Sequence, residues 1–119
     1  GCWSTRTFKR AEGILVRFPN SDQATYKKRP ALVVQADGLN TGLSQKIIAL
    51  ITSNTQRVGV TRVHFSKSSP DGQSMRLLMD SVVVTDNLAT VLDREIDKTI
   101  GHCPAMTKVD AALRHTLGL

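Results

Sequence analysis

At 119 residues the chain has room for one domain with one modest core, and nothing in it approaches the run of about 18 apolar residues that a membrane span needs. Two cysteines and three histidines, at no metal-ligand spacing, exclude a disulfide framework and a zinc site, so Cys2 and Cys103 read as free thiols and no cofactor is expected. The formal charge of +6 is uneven: residues 1–29 hold Arg6, Lys9, Arg10, Arg17, Lys27, Lys28 and Arg29 against only Glu12 and Asp22, which suits a polyanion on an otherwise nearly neutral domain.

Residues 1–9 lack an apolar stretch that could serve a secretory signal and are expected to be a flexible lead-in or an expression remnant, leaving 10–119 as the folded domain of a soluble, cytoplasmic protein. Short segments rich in β-branched residues and separated by turn chemistry predict a mainly β domain, with strands near Gly13–Phe18, Arg29–Gln35, Lys46–Ser53, Gly59–Phe65, Ser81–Val84 and Lys98–Gly101. Between the first two, Phe18-Pro19-Asn20-Ser21-Asp22 opens a loop of about ten residues, long for a hairpin. Pro30 falls at the start of its expected strand, where a residue without an N–H is tolerated. Asp37-Gly38, Asn40-Thr41-Gly42 and Ser69-Pro70-Asp71-Gly72 read as turns. After Pro104 the period changes: Met106, Val109, Leu113 and Leu117 recur at helical spacing and Gly118 closes the pattern, predicting one amphipathic helix packed on the sheet.

The segment Lys27-Lys28-Arg29-Pro30 sets the densest charge directly against a buried aliphatic run. Taken locally it reads as a solvated strand end whose charge discourages edge pairing. No segment pairs a cationic face with a large apolar one, so a membrane surface is not the expected partner.

Four motifs alter the local reading. Arg10-Ala11-Glu12-Gly13-Ile14-Leu15-Val16-Arg17-Phe18-Pro19-Asn20-Ser21-Asp22 with Lys28-Arg29-Pro30-Ala31-Leu32-Val33-Val34, then Ile48-Ala49-Leu50-Ile51-Thr52-Ser53, then Asp80 to Val91, then Ile100-Gly101, resemble in order the MazF/PemK toxin family. The resemblance implies an SH3-like β-barrel with a C-terminal helix, a homodimer, and a metal-independent endoribonuclease that cuts single-stranded RNA at short sequences. It also implies a cognate antitoxin whose tail occupies the RNA groove. On the same resemblance Arg29 and Thr52 are the catalytic pair.

The residue types suit those roles. A guanidinium fork stays charged and matches two phosphate oxygens, while a hydroxyl is too weak a base to do more than orient the 2′-hydroxyl or the phosphate. Lys27 and Lys28 are expected to hold phosphates, Phe18 and Tyr26 to stack on bases, and Ser53 to contact substrate. Asp86 is either a base contact or a plain turn aspartate. Some members carry an arginine two residues before that aspartate; Val84 stands there, so catalysis is expected to rest on Arg29 and Thr52. His64, His102 and His115 receive no catalytic role. The competing readings are a non-catalytic toxin of the gyrase-poisoning CcdB type and a plain RNA-binding module.

Overall fold

The computed structural model describes residues 7–19, 22 and 24–119. Six strands form one antiparallel sheet: β1 (Glu12–Pro19), β2 (Tyr26–Val33), β3 (Gln45–Thr52), β4 (Arg62–Phe65), β5 (Ser81–Leu92) and β6 (Ile96–His102). A short helix α1 (Pro70–Ser74) lies between β4 and β5, and α2 (Met106–Leu117) ends the chain. The strand order is β4-β5-β3-β2-β1-β6.

The sheet is an open form of the expected barrel, since no ladder joins β4 to β6 among the described residues. The two ends of the order nevertheless curve toward each other, because the segment just after α1 packs against β6. A Cβ on Gly101 would stand 2.6 Å from the Met75 carbonyl carbon, a contact no side chain allows, so glycine is what lets the two backbones touch. Alternation along the strands feeds two cores. Leu32, Ala49, Ile51, Val63 and Val83 meet Val109 and Ala112 of α2, whereas Ile14, Val16, Ala31, Val33 and Ile48 pack with Val91 and Ile96. Phe8, inside the expected lead-in, is buried in the second core, so the packed domain begins before residue 10.

Several boundaries differ from expectation for identifiable reasons. The strand predicted at Arg29–Gln35 begins three residues earlier, since β1 and β2 stay paired out to Pro19 and Tyr26. Pro30 is therefore inside β2. It is tolerated because Tyr26 to Pro30 pair with β1 alone, a local edge, while pairing with β3 begins only at Ala31. Of the expected loop, Asn20, Ser21 and Gln23 lie outside the described residues, as does Cys2. The fourth strand shortens to Arg62–Phe65, and the expected turn at Ser69-Pro70-Asp71-Gly72 becomes the start of α1, capped by Ser69 Oγ accepting from Gly72 N at 3.0 Å. The predicted strand at Ser81–Val84 continues to Leu92 through a bulge, where the pairing with β3 jumps from Leu50↔Val84 to Ala49↔Leu88. Of the helical stripe, Val109 is buried and Met106 and Leu113 pack on the first core, but Leu117 is 56% exposed.

Candidate active site

A groove of about 990 Å³ opens where β2 and β3 part. The ladder between them covers Ala31↔Leu50, Leu32↔Ala49 and Val33↔Ile48, then stops beside Pro30, which has no N–H to give. Continuing that register two residues sets Arg29 across from Thr52, and both line the groove. Leu15, Pro30 and Leu50 supply apolar lining, and β6 forms the far wall through Lys98, Thr99 and Ile100.

The charge of this lining is of one sign. Lys27, Lys28, Arg29, Arg57, Arg62, Arg76 and Lys98 face the space, and among the described residues no aspartate or glutamate does. Cations gathered on concave walls of low dielectric focus a positive field there, which raises the local concentration of a polyanion. Thr52 Oγ1 accepts from Asn54 N at 3.1 Å. That bond occupies a lone pair and leaves the hydroxyl proton to donate into the groove. Ser53 lies beside it, exposed on the same lining.

The remaining candidates divide. Lys27 lines the groove and makes no ion pair among the described residues. Lys28 also lines it, but its Nζ lies 3.3 Å from Asp97 Oδ2, while Arg17 Nη2 lies 3.2 Å from Oδ1 of the same carboxylate. The hydrogen bond from Lys28, its charge, and then Arg17 hold the Asp97 carboxyl below the usual value. Lys28 is thus a shared cation, where the sequence suggested a phosphate anchor. Phe18 is half-buried against the second core, and Tyr26 projects into solvent opposite Pro19; neither lines the groove. Asp86 is outside it as well. It sits in the β5 bulge, where Oδ2 accepts from Thr61 Oγ1 at 2.8 Å. There the neighbouring Thr85, fully buried, donates from Oγ1 to the Thr61 carbonyl at 2.6 Å, so the aspartate helps fasten β5 to the residue before β4.

Arg57, Arg62, Arg76 and Lys98 escaped the sequence reading, because counting charge along a chain does not reveal which residues a fold gathers. One signal was present: Arg62-Val63-His64-Phe65 alternates polar with apolar, so Arg62 must lie on the face opposite Val63 and Phe65. Arg76 holds a left-handed backbone, φ 56°, just after α1. Cys103 is buried, and burial raises its thiol pKa, which keeps it protonated and unreactive.

The model of the PemK-like, MazF-like toxin of type II toxin-antitoxin systems matches residues 9–117. The chain belongs to this toxin family. Among curated members, endoribonuclease MazF6 of Mycobacterium tuberculosis and endoribonuclease MazF2 of Mycobacterium bovis are each 35% identical over 104 residues, covering 85% of this chain and 88% of theirs. A solved mycobacterial endoribonuclease in complex with its cognate antitoxin superimposes with a TM-score of 0.71 at 25% identity, over 95% of this chain and 97% of that one. MazF in a MazE–MazF crystal structure from Deinococcus radiodurans shares the fold, with a TM-score of 0.69 at 17% identity over 97% and 99% of the two chains. The MazF-type fold therefore covers nearly the whole chain.

Proposed function

We propose that this MazF-type toxin cuts single-stranded RNA at short sequences, with Arg29 and Thr52 performing the cleavage without a metal. The observation that carries the reading is their common register position across the parted end of β2 and β3, inside a groove whose charged residues are all cationic. In the reaction the 2′-hydroxyl gives its proton to water and its oxygen attacks the neighbouring phosphorus. The P–O5′ bond breaks and the leaving oxygen takes a proton back from water, leaving a cyclic phosphate and a 5′-hydroxyl. Thr52, its oxygen held by Asn54, donates a hydrogen bond that orients the reacting groups. Arg29 meets the charge that grows on the phosphorane and stands at the leaving oxygen, which must gain a proton. Lys27 and Ser53 hold the strand beside the cut, with Lys28 engaged by Asp97.

A groove that accepts RNA also accepts an acidic peptide. The cognate antitoxin is accordingly expected to block the groove, and the toxin to act as a homodimer on cytoplasmic RNA. Incubating the purified protein with mixed RNA in excess chelator tests the reading. Discrete cuts that vanish in Arg29→Ala support it. RNA that stays intact, whether or not it is bound, overturns it.

A further inference from the structure

Two arginines among the described residues are half-buried, Arg10 and Arg62, and they differ in what surrounds them. Arg10 is consumed by the protein: Nε donates to the Val34 carbonyl at 3.0 Å and Nη2 pairs with Asp110. Arg62 lines the groove, and its guanidinium has no hydrogen bond or ion pair among the described residues. A guanidinium that is partly withdrawn from water and given no acceptor loses hydration without compensation, so such a position favours an anion arriving from outside.

Register fixes where that anion would sit. Arg62 is paired with Val84 of β5, and Val84 with Leu50 of β3, so the three share one rung and one face; Thr52 follows two residues along β3 on that face. β4 and β2 are three strand spacings apart, about 14 Å between backbones. Arg29 and Arg62 thus stand on opposite sides of Thr52, with side chains long enough to reach neighbouring phosphates of one strand. The apolar Val84 between them leaves the path open. Arg62 also borders a second hollow between β4 and α2, with Lys108 and His115 on its rim, and so stands where the groove leads out over the sheet edge.

We propose that Arg62 is a substrate-positioning residue that grips the phosphate next to the scissile one. The inference rests on the RNA-cleaving reading, but its test can fail separately. The probe is a short single-stranded RNA with a 2′-deoxy nucleotide at the cut site, titrated against salt. In Arg62→Gln the plot of log affinity against log salt is expected to flatten by about 0.7, the loss of one phosphate contact on a single strand. Arg62→Lys should keep the slope while weakening binding, because charge remains and the fork is lost. With cleavable RNA, Arg62→Gln should raise KM about tenfold or more with kcat little changed, the opposite of Arg29→Ala. An unchanged slope and KM in a variant that melts like the parent would overturn the proposal. Should the parent cleave no RNA at all, the functional reading fails, and the slope still decides whether Arg62 holds a phosphate.

Discussion

The α2 side of the sheet and the groove use the same residue types to opposite ends. Beside α2, Arg10 is tied by its own backbone N–H to Asp37 at 2.8 Å and by its side chain to Val34 and Asp110, so that the cation joins three segments of the chain. In the groove, Arg29, Arg57, Arg62 and Arg76 make no ion pair among the described residues. Charge next to a carboxylate contributes to folding; charge gathered away from carboxylates repels itself and is maintained at some cost in stability. The contrast separates a cation that the fold consumes from those that the groove leaves for a ligand.

The strongest way to break this comparison is Arg29→Ala. Losing a preorganised charge at the phosphorane is expected to slow single-turnover cleavage by about 10²–10³, or about 3–4 kcal/mol, with the melting temperature unchanged or slightly raised. A variant that lost stability in step with activity would show that Arg29 is structural, as Arg10 is.

Next in size is Gly101→Ala. The new methyl meets the Met75 backbone, so β6 and the segment after α1 must separate, at an expected cost of about 2–3 kcal/mol in chemical denaturation. Because β6 carries Lys98 and the far wall, the widened groove should also bind RNA more weakly. Full stability in this variant would mean that the two ends of the sheet order are not held together as described.

Arg10→Ala sharpens the contrast from the other side. It removes a partly exposed ion pair and one bond to a carbonyl, so about 1 kcal/mol of stability should disappear, while cleavage by the protein that remains folded is unchanged. A fall in kcat here would place Arg10 in the chemistry.

How far the sequence reveals this arrangement depends on how local each feature is. β1, the buried half of β2, β3 and α2 are written in short-range alternation and periodicity, whereas the joining of Arg29 and Thr52 into one site is what the family resemblance implies. The strand expected at Ser81–Val84 runs on in the fold, where Thr85 and Asp86 reach across to Thr61 and carry it through a bulge. Most of the groove's cationic lining is not legible. Arg57 and Arg62 come from residues 53–69, which hold three cations and no acid, whereas Arg76 and Lys98 sit among aspartates, and only the fold brings the four to one groove. Lys28 illustrates the same limit in reverse, since its partner Asp97 lies 69 positions away and reaches it only because β6 pairs with β1.

That partner gives the smallest and most discriminating test. Asp97 holds Lys28 and Arg17 together at the groove's edge, and its carboxyl pKa is lowered in the fold by those two cations, Lys28 first. A lowered carboxylate pKa contributes stability that is present above the unfolded value and lost as pH falls through the folded one, so this contribution should fade below about pH 4 and be missing at every pH in Asp97→Asn. Asp97 is half-buried but both of its partner cations are exposed and screened by solvent, so the change in melting temperature should be slight. Binding should respond more clearly, because the substitution removes a negative charge from the groove's edge and releases Lys28 to the strand. A non-cleavable RNA should then bind Asp97→Asn more tightly than the parent, with a salt slope steeper by up to about 0.7, and adding Lys28→Ala should abolish the gain. If affinity and slope stay at the parent's values, Lys28 points away from the strand even when unpaired, and the groove's recruiting charge rests on Lys27 and the arginines.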